Sequence, residues 1–174
     1  MYTFGHIIGA KAKFEGDKGM STIEQYSNAF NKIKPEVLGA TRWLIEQGIW
    51  DKNLTNLDKT IIMGQWVQRC ASLYEIPKPI FYYKYRGKDV ETKYRQTGGG
   101  IYYEDSNTIY LYKKPSLVTL IHEFRHALQC KLNPKPKLWG GSRETDARAW
   151  SLSIYKTVAP KSFERAARNG MLYV

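Results

Sequence analysis

Apolar residues recur at helical spacing in the first half of the chain, and the pattern then changes to short β-branched and aromatic runs. Pro35 stands at a first helical position. Val37, Leu38, Thr41, Leu44 and Ile45 repeat every three to four residues as far as Gly48. A turn follows through Asn53 and Asn56. Leu57, Ile61, Ile62, Trp66, Cys70, Leu73 and Tyr74 then form an apolar stripe about five turns long. Core packing accounts for this stripe without a cofactor. A shorter helix is expected over Thr22–Asn31, with Ser21 as N-cap and Glu24 completing a capping box. Residues 1–20 show no periodicity and read as a loosely ordered lead-in.

Pro77 and Pro79 mark the change of pattern. Ile80–Tyr85 reads as a strand and Val90–Arg95 as a second, weaker one. Gly98, Gly99 and Gly100 break the chain. Ile101–Glu104 and Thr108–Tyr112 read as two arms of a hairpin around Asp105, Ser106 and Asn107. Pro115 and Ser116 open a helix that runs to Lys131, and residues 133–141 form a loop with two prolines and two adjacent glycines. Glu144–Val158 is the last long helix, stopped by Pro160, and a short helix near Phe163–Arg168 closes the chain. This order predicts an α+β fold with a small, mostly antiparallel sheet. It is expected as a single domain over residues 21–174: helical over 21–75, sheet over 76–113, and paired helices over 115–158.

Composition narrows the class. The 174 residues are 43% hydrophobic and 25% charged, which excludes intrinsic disorder. No run approaches the roughly 18 apolar residues of a membrane span. The apolar run Phe4–Ala10 contains His6 and two glycines, and charges follow it directly, so it does not read as a secretory signal. A cytoplasmic location is the expectation. Cys70 and Cys130 make no disulfide framework and are expected as buried thiols. The net charge of +11 is uneven: residues 1–75 carry +1, residues 76–115 carry +4 and residues 116–174 carry +6. Any anionic partner is therefore met by the second half.

That half also holds the chemistry. His122-Glu123-Phe124-Arg125-His126 is an H-E-x-x-H pentapeptide, and it uses two of the three histidines in the chain. On a helix, positions i and i+4 share a face, so both imidazoles reach one metal ion while Glu123 lies beside them. Neutral imidazole suits Zn²⁺, and a carboxylate next to the activated water serves as general base. Leu117, Leu120, Ile121, Phe124 and Leu128 give this helix an apolar face to bury. A third ligand is required. Glu144, 18 residues after His126 and at the start of the next helix, is the first candidate, and Asp146 is the alternative. His6, Cys70 and Cys130 lack a ligand pattern. No Lys-Ser or Lys-Thr follows Gly98–Gly100, so these glycines are not a phosphate loop. They suit close backbone approach at a strand start.

The pentapeptide followed by Glu144-Thr145-Asp146-Ala147 resembles the gluzincin metallopeptidases, whose signature joins H-E-x-x-H to a downstream Glu, often as E-x-x-A-[DN]. The ImmA/IrrE-type peptidases of bacteria, phages and other mobile elements are the nearest resemblance, over about residues 76–158. It implies a minimal zincin-like fold, one zinc ion on His122, His126 and Glu144, and endopeptidase activity with Glu123 as base. It also implies that Gly100, Ile101, Tyr102 and Tyr103 form the edge strand that pairs with substrate peptide. Tyr155 and Arg148 follow Glu144 on its helix and are candidates for stabilising the oxyanion. Asp146 is a further candidate for supporting the ligands.

The sequence departs from the family at two places. Arg148 stands where the family commonly has Asp or Asn, and Arg125 is charged where the strict pattern is not. No third His follows, unlike the metzincin and SprT-like branches. A basic cleft rim favours an acidic polypeptide substrate, or one already sitting on nucleic acid. Anti-restriction proteins of mobile elements join a zincin-like domain to DNA binding. Lys84, Arg86, Lys88, Lys93 and Arg95 alternate with Tyr82, Tyr83, Tyr85 and Tyr94, a mixture that could stack and neutralise single strands, although an ordinary wet-faced sheet is favoured. A metal-stabilised interaction module is the third reading, against which the intact Glu123 argues.

Overall fold

Pro35 supplies a preset φ at the first position of helix α1, Pro35–Glu46, where its missing N–H costs nothing. Val37, Ala40, Thr41 and Leu44 bury one face. The helix stops at Gly48, which takes a left-handed φ of 66°. Helix α2, Asn56–Leu73, begins with a full capping box. Thr55 Oγ1 accepts from the Asp58 N–H at 3.1 Å, and the Asp58 carboxylate accepts from the Thr55 N–H at 2.8 Å. The computed structural model describes residues 33–84, 99–112, 114–132 and 141–172. The expected helix over 22–31, the strand over 90–95, the 1–20 lead-in and most of the 133–141 loop lie outside them.

The α2 stripe differs from expectation at its start. Met63, Trp66, Val67, Cys70 and Ala71 are buried, but Leu57 and Ile61 are 68% and 50% exposed. At about 100° per residue, these two lie roughly 120–160° around the helix from Met63. The chain's apolar residues thus form two stripes on α2, of which one faces the core.

Three strands follow: β1, Ile80–Tyr83; β2, Gly100–Tyr103; and β3, Thr108–Leu111. The fold is α+β as expected, but the sheet is mixed. Its order is β1-β3-β2, with β1 parallel to β3 and β2 antiparallel to β3. The hairpin accounts for the antiparallel pair. β2 runs opposite to β1, so the hairpin returns β3 in the direction of β1 and the two pair in parallel. Asn107, at a φ of 47°, makes the hairpin turn and ties it to β1. Its carbonyl accepts from the Ile80 N–H at 2.9 Å, its amide donates to the Pro77 and Lys78 carbonyls at 3.3 Å, and its Oδ1 accepts from the Tyr102 hydroxyl at 3.0 Å.

Helix α3, Leu117–Leu132, is capped by Ser116, whose hydroxyl accepts from the Thr119 N–H at 3.2 Å. Helix α4, Gly141–Val158, starts one turn earlier than Glu144, and α5, Pro160–Arg168, follows directly. Phe81, Tyr83, Ile109 and Leu111 point from the sheet into the core. Three aromatic rings tie the helices together there. Trp66 meets Phe124 edge-on at 5.2 Å, and Phe124 stacks on Trp150 at 6.3 Å. The Trp66 N–H donates to Thr41 Oγ1 at 3.1 Å, which adds α1 to the junction. Phe124 thus anchors α3 from below, while its neighbours Glu123 and Arg125 and the two flanking histidines are left for the site. No helix among the described residues is long and apolar enough to cross a membrane.

Candidate metal centre

His122 and His126 stand one turn apart on α3, with ring centroids 4.7 Å apart and ring planes at 86°. Their Nε2 atoms face each other at 3.1 Å. Helix α4 runs antiparallel to α3, because contacts from Phe124 onward along α3 fall at ever earlier positions of α4: Trp150, then Asp146, then Arg143. This brings Glu144, in the first turn of α4, over the two imidazoles. Glu144 Oε1 is 3.1 Å from His126 Nε2, and Oε2 is 3.3 Å from His122 Nε2.

These distances fit one ion. Four ligands at about 2.0–2.1 Å around a tetrahedral centre lie about 3.3 Å from one another. The donor set of two imidazole nitrogens and one carboxylate is one that zinc accepts. Glu144 Oε2 is buried and meets no hydrogen-bond donor in good geometry, although it faces His122 Nε2 at 3.3 Å. Among the described residues, His122, His126 and Glu144 form the group able to hold a metal ion, and Asp146 is not part of it.

The charges within the cluster are tightly coupled. Burial alone raises the Glu144 carboxyl, yet the two facing imidazoles hold it well below the usual carboxylate range. Burial opposes protonation of His126, but Glu144, Glu123 and Gln129 outweigh it and raise its pKa. Glu123 is pushed up by burial, against the pull of both imidazoles. The cluster therefore concentrates negative charge at Glu144, where a cation would sit.

Glu123 is held from two sides. The Tyr102 N–H of β2 donates to its carboxylate. Gly100 lies against its side chain: a Cβ there would sit 3.0 Å from Glu123 Cγ, 3.0 Å from Thr119 Cγ2 and 2.5 Å from Leu111 Cδ2. At Gly100 the close approach is thus to side chains of α3 and β3 rather than to another backbone. Gly100→Ala should lower unfolding stability by about 1–3 kcal/mol in a urea titration, since the methyl has no free volume. Wild-type stability in that variant would contradict the close approach.

The remaining sequence candidates fall in different places. Arg125 pairs with Asp146 through two hydrogen bonds, Nε to Oδ2 at 2.7 Å and Nη2 to Oδ1 at 3.1 Å, and its guanidinium lies 5.3 Å from the Trp150 ring centroid. This explains the charge inside the pentapeptide: it locks α3 to α4. Arg148 lies one turn after Glu144 and is half-buried. Tyr155 packs edge-on against Phe163 of α5, about 16 Å along the helix from Glu144, and the structure does not bring it to the ligands. Ile101 and Tyr103 share the sheet face opposite Gly100 and Tyr102, away from Glu123.

Of the basic and aromatic residues in the middle of the chain, Tyr83 is in the core, so the tyrosines do not share one wet face. Tyr82 is exposed, stacks on Tyr110 at 5.0 Å and has Lys84 nearby. Tyr85, Arg86, Lys88, Lys93, Tyr94 and Arg95 lie outside the described residues. Both cysteines are buried with thiols raised by burial, as expected of inert sulfurs.

Three residues of the site were missed by the sequence reading: Gln129, Arg143 and Tyr112. Gln129 bridges His126 and Asp146, and Arg143 contacts Gln129, Cys130 and Glu104. The Tyr112 hydroxyl donates to the Gly100 carbonyl at 3.3 Å. Its phenol is pushed up to about 12 by burial, with the nearby Glu123 adding to the shift. The one available signal was the i, i+3 spacing of His126 and Gln129. No family model, no curated protein and no solved structure matches the chain.

Proposed function

We propose that this protein is a zinc-dependent endopeptidase of gluzincin type, acting on an acidic polypeptide. The observation that carries the reading is the convergence of His122 Nε2, His126 Nε2 and the Glu144 carboxylate at 3.1–3.3 Å from one another, with Glu123 buried beside them. A structural zinc site closes its fourth position with a protein ligand, and among the described residues the cluster offers three.

His122, His126 and Glu144 would hold the ion. A bound zinc would supply Lewis acidity toward a water molecule and toward the scissile carbonyl. Glu123 takes the proton from the attacking water on its carboxylate and delivers it to the leaving amide nitrogen, so water adds across the C–N bond. The Tyr102 N–H and the tight seat beside Gly100 keep that carboxylate in one position through both transfers.

The test is incubation with an unfolded acidic polypeptide, with metal content read by elemental analysis. One zinc per chain and cleavage that a chelator stops and added zinc restores are expected. A protein that holds one zinc yet leaves unfolded polypeptides of every charge intact would overturn the peptidase reading.

A further inference from the structure

Beyond the three ligands, a connected polar cluster lies behind His126. Gln129 follows His126 by three positions on α3 and so shares its face. Gln129 Oε1 is 2.8 Å from His126 Nδ1 and 3.0 Å from Arg143 Nε. Gln129 Nε2 is 2.9 Å from the Arg143 carbonyl and 2.8 Å from Asp146 Oδ2. Asp146 in turn is clamped by Arg125.

The chemistry of these partners permits one arrangement. An arginine Nε only donates, and a carbonyl or carboxylate oxygen only accepts. The Gln129 amide must therefore turn its oxygen to Arg143 Nε and its NH2 to Asp146 and the Arg143 carbonyl. An oxygen then faces His126 Nδ1, so that nitrogen must carry a proton. An imidazole that binds a metal ion is neutral and has one N–H, which leaves the lone pair on Nε2. Nε2 is the atom that faces Glu144 and His122.

We propose that Gln129 is the positioning residue that fixes His126 in the Nδ1–H tautomer, held in register by Arg143 and by the Arg125–Asp146 pair. The support for this ligand is thus supplied from its own helix, at i+3. Asp146 acts at one remove, through the amide. The proposal explains why Asp146, although not a ligand, sits where the two helices cross the site. It rests on the metal reading of this centre and is independent of peptide hydrolysis.

The experiment uses the full chain loaded with zinc and labelled with ¹⁵N-histidine, which gives three imidazoles to assign. Wild type should show His126 protonated at Nδ1, slow to exchange with solvent, and coordinated through Nε2. Coordination through Nδ1, with the proton on Nε2, would overturn the proposal whatever any variant does. Gln129→Met keeps the length of the side chain and removes its hydrogen bonds. Competition with a chromophoric chelator should show zinc binding weakened about 10–100-fold, the range for lost outer-shell partners of a metal-bound histidine, and the Nδ1–H signal should exchange quickly. Wild-type affinity with a protected Nδ1–H in that variant would overturn it. A wild type that takes up no zinc would sink the metal reading and this proposal together. Zinc uptake without proteolysis would count against the peptidase reading alone.

Discussion

Glu123→Gln should abolish peptide hydrolysis while leaving the metal centre intact. The amide has almost the shape of the carboxylate, so it fits the space beside Gly100 that the Glu123 side chain occupies. Its oxygen can still accept the Tyr102 N–H. It cannot accept a proton from water, and a positioned general base contributes about 10²–10⁴-fold to such reactions. A loss of at least that size in kcat is expected, with zinc content unchanged at one per chain. Stability should hold or rise. Burial raises the Glu123 pKa, so the charged form is costly in this position, and a neutral amide removes that cost. A variant that is more stable, fully metallated and inactive would separate catalysis from folding at one atom. Cleavage at the wild-type rate would remove Glu123 from the mechanism.

The parts of this site that could be read from sequence are those that depend on one helix. His122 and His126 share a face by the geometry of the α-helix alone, and Phe124 was placed in the core by the same periodicity. Glu144 was found by its distance along the chain and its place in a helix's first turn. What escaped depends on how two helices meet. Gln129 is a polar residue near a helix end and reads as surface. It becomes a ligand's partner because α4 crosses α3 there and brings Arg143 and Asp146 to it. Asp146, two residues after Glu144, stood as the alternative ligand. Chain spacing could not show that it falls outside the group able to hold a metal ion and instead meets Arg125 and Gln129 where the two helices pack.

The sheet teaches the same lesson. Both arms of the hairpin were legible, with Asn107 at the turn. The parallel pairing of β1 and β3 was not, because period-two alternation carries no strand direction. On α2, Leu57 and Ile61 were read into the core stripe because apolar spacing alone does not say which of two stripes is covered.

Glu144→Ala and Asp146→Ala should fail in opposite ways, and the contrast decides which carboxylate is the ligand. Glu144→Ala removes one of three metal donors, and zinc affinity should fall by more than the roughly 100-fold upper range for an outer-shell partner. Its fold should survive. Glu144 makes its charge contacts with the two imidazoles, and without the carboxylate His126 loses the partner that opposes its desolvation, so that ring reverts toward the neutral form. Asp146→Ala leaves the Arg125 guanidinium buried against Trp150 without its bidentate partner. Breaking a fully buried pair costs about 3–5 kcal/mol, and the partial exposure of Asp146 reduces this to about 1–3 kcal/mol. The Gln129 amide also loses an anchor, so zinc binding should weaken, but by about tenfold. Thermal melting of the metal-free variants, beside zinc competition on the same samples, measures both quantities. Zinc lost in Asp146→Ala and kept in Glu144→Ala would invert the assignment. It would also require α4 to sit about half a turn from where Arg125 and Gln129 now hold it.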